Sequence, residues 1–536
     1  MDSRPDRLPR VAAPLAVALT ALGWWFGTHL EPLWWAAWLA PLPLLVYALR
    51  VRAGPASLAA FAAFAIGGAN AWHYLHDVVR VPLVVTLAAI LAPALLMVPV
   101  TLLFRALARR GRVLAAALSL PLATTGLSWA GATLSAHGTY GHLAYSQMDA
   151  LPVIQVAAVA GLWGVGFLVW LPASLLAAVT APRADRRDRV LAATAGTLVL
   201  ALSLGYGAWR LHDDDASTRL RVGLVTIGGS GDAAADPATP EGGRMLSRYA
   251  AEIERLAAAG AEVVVAPESA LLLRSHAVET LQELSTRHGV RILVGAEDHS
   301  DPRRKHNAAL VFEPGAGEPV AYYKRHLIPG FEDRYTPGDT RVMLAGAPRT
   351  GVAICKDLDF TATGRAHAAL DTQLLLVPAW DFNEDAWLHG RMAVMRGVEG
   401  GFAIARTARD GDLTLSDDRG RVIAEASSVG KTGPVSLLAE LPLRDTRTPY
   451  ARWGDAFGWL SLIAAALLAA TLALRRKHGD SPRTNGPAPR QRSRPTSASI
   501  SSMRTSTWVA SSGVTAPSTM GSASAANAAQ KSSSLV

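Results

Sequence analysis

Long apolar runs separated by arginine clusters constrain this chain more than any other feature. Candidate spans fall at roughly 11–29, 33–49, 55–72, 81–104, 113–134, 152–180 and 190–210, with a last one near 456–474. Each approaches the ~20 residues that a helix needs to cross a bilayer. In hydrocarbon every backbone N–H and C=O must be satisfied internally, so such runs are read as helices. Half of the 536 residues are hydrophobic and only 18% are charged, which suits a membrane protein. Arg4, Arg7 and Arg10 precede the first run. No small-residue cleavage site stands out and further runs follow, so it reads as a membrane helix rather than a signal peptide.

The arginines also orient the chain. Arg50 and Arg52 follow the second run, Arg105, Arg109, Arg110 and Arg112 the fourth, and Arg183, Arg186, Arg187 and Arg189 the sixth. The alternate loops are poor in Lys and Arg. By the positive-inside rule the N-terminus is cytoplasmic, and seven crossings place everything after Leu211 outside. The run at 456–474 ends in Arg475-Arg476-Lys477, which reads as inside again. The net charge of +9 is spread over these loops rather than gathered in a patch, which argues against nucleic acid.

Residues 219–445 follow a different rhythm. Short β-branched runs occur at Leu220–Ile227, Glu262–Ala266, Val290–Val294, Ala308–Phe312, Val320–Tyr323, Gly351–Cys355, Gln373–Pro378, Phe402–Arg406 and Arg421–Ala424. Helical spacing appears at 243–259, 276–288 and 384–398. This predicts an α/β domain of about 225 residues, large enough for its own core. The expected organisation is a seven-helix membrane domain (1–211), an extracytoplasmic α/β domain (219–445), a last membrane helix (456–474) and a disordered cytoplasmic tail (478–536). The tail is rich in Ser, Ala, Thr and Pro and lacks an apolar period.

Three polar residues stand at predicted strand ends. Glu268 closes Val263-Val264-Val265-Ala266-Pro267-Glu268, and Lys324 closes Tyr322-Tyr323-Lys324. Cys355 closes Gly351-Val352-Ala353-Ile354-Cys355 and is the only cysteine in the chain, so it has no intramolecular disulfide partner. Alone, each has an ordinary reading: a carboxylate at a helix N-terminus, a solvated lysine, a buried thiol. Together, a base, a cation and a thiol on rigid strand ends suit nucleophilic catalysis.

Glu, Lys and Cys in this order resemble the pattern of the nitrilase superfamily, over nearly all of the soluble region. With seven preceding spans and one following, residues 10–475 resemble the apolipoprotein N-acyltransferase family. Gly141-His142-Leu143-Ala144-Tyr145-Ser146-Gln147 is similar to that family's outer loop before the sixth span. The resemblance implies a membrane bundle of about eight transmembrane helices and a nitrilase-like αββα sandwich. It implies Glu268 as general base, Cys355 as the nucleophile forming a thioester, and Lys324 with a backbone N–H after Cys355 on the oxyanion. Glu332 matches the family's additional glutamate and is expected to orient Lys324 and the incoming amine. The implied substrates are a phospholipid acyl donor and a diacylated apolipoprotein, with ping-pong kinetics and no cofactor. The implied place is a bacterial inner membrane with the catalytic domain outside and both termini cytoplasmic.

Some residues depart from that pattern. Lys356-Asp357 stands where the family has an aromatic residue and a glutamate. The lysine is expected either to lower the thiol pKa or to face solvent, and Asp357 keeps the acidic type. Gly228-Gly229-Ser230-Gly231 replaces a Gln-x-Asn pattern and reads as a linker rather than a phosphate loop. Trp380, Phe382 and Trp387 occupy a rearranged aromatic segment; with Tyr145 they are candidates for an acyl pocket, ordinary packing being the competing reading. Arg391, Arg396 and Glu399 are expected to form internal ion pairs, and His326 to brace the lysine loop. His73 and His76 lack a clear third ligand, so no metal is expected. Two further readings compete: a membrane-anchored amidase that hydrolyses a C–N bond, and a binding protein without activity.

Overall fold

The computed structural model describes residues 9–212, 216–228, 234–276 and 278–479. Helices open the chain: α1 (Ala12–Gly27), α2 (Ala36–Leu39), α3 (Leu42–Arg50), α4 (Ala53–Gly68), α5 (Leu83–Ala108), α6 (Val113–Leu134), α7 (Leu151–Ile154), α8 (Ala157–Val179) and α9 (Arg186–His212). Strands and helices then alternate: β1 (Thr218–Ile227), α10 (Pro240–Ala258), β2 (Val263–Val265), β3 (Leu271–Leu273), α11 (Glu279–His288), β4 (Arg291–Asp298), β5 (His306–Phe312), β6 (Val320–Tyr323), β7 (Val342–Leu344) and β8 (Thr350–Val352). The chain continues with α12 (Thr361–Ala368), β9 (Leu374–Trp380), α13 (Ala386–Gly400), β10 (Ala403–Arg409), β11 (Asp412–Ser416), β12 (Val422–Ser427), β13 (Pro434–Leu443), α14 (Pro449–Trp453) and α15 (Ala456–Gly479).

Among the described residues, α5, α6, α8 and α9 are long and apolar enough to cross a membrane; α1, the α2–α3 stretch and residues 456–472 of α15 are shorter apolar helices. The expected count of about eight crossings is therefore not established by length and composition. Local chemistry explains two irregularities. The expected span at 33–49 breaks beside Pro41, which has no N–H to give a continuous helix. The expected span at 152–180 breaks after α7 and kinks again at Gly161 inside α8 (φ 66°, ψ −174°).

The bundle is apolar outside as well as inside. Leu95, Leu202 and Leu467 are more than 60% exposed on its outer faces, as expected of surfaces that meet lipid. Inside, Trp24 stacks on Trp170 at 5.1 Å, with Phe64 against both. Helix α15 lies against α6, where Leu462 meets Gly126, Gly458 meets Trp129, and Arg112 Nη1 donates to Thr471 Oγ1 at 2.7 Å. The basic loops meet at one end: Arg105 donates to Ala48 O, Arg109 to Leu49 O and Arg183 to Arg109 O. The strands attach at the other.

Two sheets form the α/β region. One has the order β13-β1-β2-β4-β5-β6, with β3 beside β4; the other runs β12-β11-β10-β9-β8-β7. Their inner faces share one core, including Leu224, Val265, Val352, Ile354 and Leu376. Helices α10 and α11 cover the first sheet through Tyr249, Ile253, Leu256 and Leu281. Helix α13 covers the second through Ala393, against Leu375 and Val377. The result is the expected αββα sandwich. Helix α10 starts where Thr239 Oγ1 accepts from Gly242 N and Pro240 takes the first turn.

Strands β3, β7, β11 and β13 and helix α12 lie in stretches without a predicted element. The longest, β13, pairs antiparallel with β1 over ten residues. The apolar run expected to carry Cys355 in a strand stops at Val352, and Cys355 opens a 3-10 turn. The glycines at 229 and 231 and the tail from 480 onward lie outside the described residues.

Candidate active site

The two sheets touch at the ends of β2 and β9. Glu268 N donates to Ala379 O at 3.2 Å and Thr407 Oγ1 to Val265 O at 2.9 Å. Within the first sheet, Gly295 of β4 leaves room for the backbone that carries Glu268: a Cβ there would fall 2.3 Å from Pro267 O and 2.5 Å from Glu268 Cα. The strand ends carrying Glu268, Lys324 and Cys355 therefore meet in one place.

Lys324 is buried between two carboxylates. Its Nζ donates to Glu268 Oε1 at 2.7 Å and to Glu332 Oε1 at 3.0 Å. Asn307 Nδ2 bridges the same two oxygens at 2.6 and 2.7 Å. Glu332 Oε2 also accepts from Ile328 N at 2.7 Å, which fixes the loop after β6. Burial opposes the Lys324 charge, but Glu268 and Glu332 outweigh it and its pKa is raised well above the ordinary value. Burial raises the Glu268 pKa, with Lys324 pulling it back. Glu268 Oε2 is buried and has no hydrogen-bond partner among the described residues.

Cys355 sits beside this cluster with φ 40°, a backbone region that costs a non-glycine residue of order 1–3 kcal/mol. Its Sγ donates to Trp380 O at 3.7 Å. Burial, and then the Glu268 charge, push the thiol well above its usual pKa, while Lys324 and Arg406 pull it down. The thiol is therefore neutral at rest and needs a base.

Asp357 holds the strained turn. It accepts from Tyr322 Oη at 2.7 Å, Ile354 N at 3.1 Å, Arg325 N at 3.1 Å and His326 N at 2.9 Å, and pairs with His326 Nδ1 at 2.9 Å. Burial opposes its charge, yet His326 and Tyr322 lower its pKa overall. His326 also stacks on Phe360 at 3.9 Å. One carboxylate thus ties the Cys355 turn to the lysine loop.

Two family models match the chain in succession. Apolipoprotein N-acyltransferase N-terminal domain matches residues 16–175, and Carbon-nitrogen hydrolase matches residues 235–448. The apolipoprotein N-acyltransferase of Geobacter metallireducens is 26% identical over 522 residues, covering 88% of this chain and 97% of its own. That of Azotobacter vinelandii is 28% identical over 517 residues, covering 85% and 93%. The chain belongs to the apolipoprotein N-acyltransferase family. Among solved structures, an amidase from Nesterenkonia sp. AN1 is 20% identical, covering 44% of this chain and 97% of its own, with a TM-score of 0.37.

Against that family's pattern, the departure at Lys356 resolves differently from both expectations. Lys356 neither faces solvent nor ranks among the charges that dominate the thiol. It is buried, with Nζ 3.1 Å from Asp359 Oδ2 and 3.2 Å from His137 Nδ1, and 5.8 Å from the Phe360 ring centroid. The loop bearing His137 belongs to the helical part. Thr139 donates to Asp359 O through N at 2.8 Å and through Oγ1 at 2.7 Å. The turn that carries Cys355 is thus gripped from both sides, by the lysine loop and by the loop that follows α6.

The aromatic candidates separate. Trp380 supplies the carbonyl at the thiol and places its ring 4.4 Å from the Arg409 guanidinium. Phe382 meets the half-exposed Phe331 edge-on at 5.5 Å. Trp387 lies under Arg391 at 5.4 Å. Tyr145 is 1% exposed, and its hydroxyl joins Thr139 Oγ1 at 2.6 Å and Arg396 Nη2 at 3.1 Å. The rest of its side chain packs in an apolar cluster with Met148, Leu162, Trp163 and Met395.

Of the expected ion pairs, Arg396 meets Glu399 at 3.0 Å within α13, whereas Arg391 reaches Glu425 of β12 at 2.6 Å. His73 bonds Asp77 and Glu384. Asn307 escaped the sequence reading; its only signal is an amide inside the otherwise apolar run of β5. The Arg406–Asp381 pair beside the thiol escaped too. Its partners stand 25 residues apart, on β10 and just past β9.

Proposed function

We propose that this acyltransferase N-acylates apolipoproteins through a thioester on Cys355, drawing the acyl chain from a phospholipid. The carrying observation is Glu268: Oε1 is held by Lys324 and Asn307, while Oε2 is buried without a partner in a site where Glu268 is the leading charge on the thiol.

In the first half-reaction Oε2 takes the Cys355 proton as Sγ attacks the ester carbonyl. The oxyanion is stabilised by Lys324 and by the Lys356 backbone N–H, which opens a helical turn where such groups lack an intrahelical acceptor. The C–O bond breaks, Glu268 returns the proton to the leaving alkoxide, and the lysophospholipid departs. In the second half the α-amine of diacylglyceryl-cysteine attacks the thioester. Glu268 takes its proton, the C–S bond breaks, and the proton returns to the thiolate. Glu332 orients Lys324 throughout. A covalent intermediate serving two lipid substrates in turn implies ping-pong kinetics.

The same reading places the protein in a bacterial inner membrane with eight crossings and both termini cytoplasmic. Its support is the basic cluster at one end of the bundle and the α/β region at the other. The decisive experiment is complementation of a strain depleted of this activity, with mass spectrometry of lipoprotein N-termini. Triacylated termini are expected. Diacylated termini with amide hydrolysis in vitro would reject the acceptor, and absence of acyl-Cys355 in the purified protein would reject the chemistry.

A further inference from the structure

The soluble domain rejoins the bundle through α14, and a groove of about 540 Å³ opens there. One wall is α12, the helix that follows the nucleophile turn; the other is α14. Three arginines line it: Arg341, Arg365 and Arg452. Arg341 and Arg452 are exposed. Neither makes a hydrogen bond or an ion pair among the described residues. Arg365 Nη2 reaches Asp455 Oδ2 at 3.5 Å, but its buried Nε finds no acceptor among the described residues. Asp455 is already engaged, accepting from Trp163 Nε1 at 2.7 Å, Tyr450 Oη at 2.6 Å and Thr361 Oγ1 at 3.1 Å. Of the three lining cations, only Arg365 meets a carboxylate among the described residues, and that carboxylate is already occupied.

The rest of the groove is apolar. Leu370 is 45% and Trp453 62% exposed, with alanines of α12 between them. Gly454, at φ 58°, lets the Arg365 guanidinium lie directly on the backbone; a Cβ there would fall 2.2 Å from Arg365 Nη1. Helix α15 begins two residues later and runs along α6, which is long enough to cross a membrane. Its exposed residues Leu460, Ile463 and Leu467 face outward. The groove thus opens at the plane where α15 enters hydrocarbon. A tryptophan at that depth anchors in the headgroup layer, and uncompensated arginines there attract anionic headgroups.

We propose that this groove binds the phosphate headgroup of an anionic phospholipid of the surrounding bilayer, at a site separate from the donor lipid at Cys355. The bound lipid lays its chains past Trp453 along α15. The proposal rests on the reading that α15 crosses the membrane.

The test uses full-length protein in detergent, titrated with phosphatidylglycerol or phosphatidylcholine and read by native mass spectrometry. Retention of phosphatidylglycerol over phosphatidylcholine is expected. The Arg341→Ala/Arg452→Ala double variant should bind phosphatidylglycerol about 30-fold more weakly, the effect of two basic residues at an anionic surface. Equal retention by that variant overturns the proposal. Displacement of the lipid by glycerol 1-phosphate does so too, because the site would then serve a free phosphate. Acyl-Cys355 formation from a phospholipid should survive in the double variant; its loss, with thermal unfolding unchanged, would make the groove the donor site and reject a separate one. The underlying topology is read apart from these results. Trp453→Cys in a Cys355→Ala background should react with a membrane-impermeant thiol reagent from outside intact cells, and absence of labelling would reject the crossing of α15 without altering the detergent result.

Discussion

On the proposed mechanism, Glu268 is positioned through Oε1 and acts as base through Oε2. Replacing it by Gln should slow acyl-Cys355 formation by about 10²–10⁴-fold, the usual worth of a general base; intact-mass kinetics would show it. The carboxylate must be ionised to act, and burial raises its pKa. Activity should therefore fall as pH drops through a limb lying above the ordinary glutamate range, and a limb at or below that range would count against Glu268. The bond from Asn307 favours the ionised form. Asn307→Leu should move that acid limb to higher pH; movement the other way would sink the assignment. Lys356 is a contrasting residue. Lys356→Met leaves Asp359 buried without its cation, a change that typically costs about 3–5 kcal/mol. The melting temperature should drop while the pH profile of acylation keeps its shape. A shifted profile would mean that Lys356 acts on the thiol after all.

Among the elements, α8 and α13 show how the membrane and soluble parts share their hydrogen bonds. Gly161 kinks α8, and Glu399 Oε1 of α13 accepts from Leu162 N at 2.7 Å, capping the helix as it resumes. Burial raises the Glu399 pKa to about 7, with Arg396 pulling against it. At Gly161 a Cβ would fall 2.4 Å from Tyr450 Cε2, in a positive-φ backbone. Gly161→Ala should therefore lower stability by more than about 1 kcal/mol in a melt. A second joint is His389 of α13, 2.9 Å from Asp385 Oδ2, whose other partner is the Tyr74 hydroxyl of the helical part. Burial opposes the imidazolium, but Asp385 outweighs it and the pKa rises to about 9 from 6.5. A raised histidine pKa gives stability that is complete below the unfolded value and lost as pH rises through the folded one. The pair, counted once, contributes at most roughly 3 kcal/mol. The melting advantage of the protein over His389→Gln should thus shrink between about pH 6.5 and 9. An advantage that grows over that window would reject the imidazolium.

At the scale of the whole molecule, the turn that carries Cys355 is held from two sides. Thr139 of the membrane-domain loop donates twice to Asp359 O, four residues past Cys355, and Asp357 anchors the turn from the other side. The helical bundle thus takes part in shaping the candidate site. Thr139→Val keeps the size and removes the hydroxyl from a buried set. It should slow acylation of Cys355 with little change in phospholipid affinity, measurable as a fall in kcat at similar KM. An unchanged kcat would show that the grip has no bearing on the nucleophile.

The membrane character was legible in the sequence, because crossing hydrocarbon demands long apolar runs and leaves arginines in the loops. The convergence of Glu268, Lys324 and Cys355 was legible too, because each closes a β-branched run, and strand ends are rigid platforms. Hydrophobic periodicity also carries most of the sandwich. It misses β13, whose ten pairings with β1 join the two ends of the domain, because such register depends on distant residues. It equally misses Asn307, the Arg406–Asp381 pair and the burial of Lys356. A side chain's charge is written locally, but its partner and its exposure are set by which surfaces fold against it. Spacing along the chain therefore determined what kinds of element and which chemistry this protein carries. Only the packing of the two sheets and the helical bundle decided which polar groups meet, which oxygen of Glu268 is left without a partner, and where the arginines remain uncompensated.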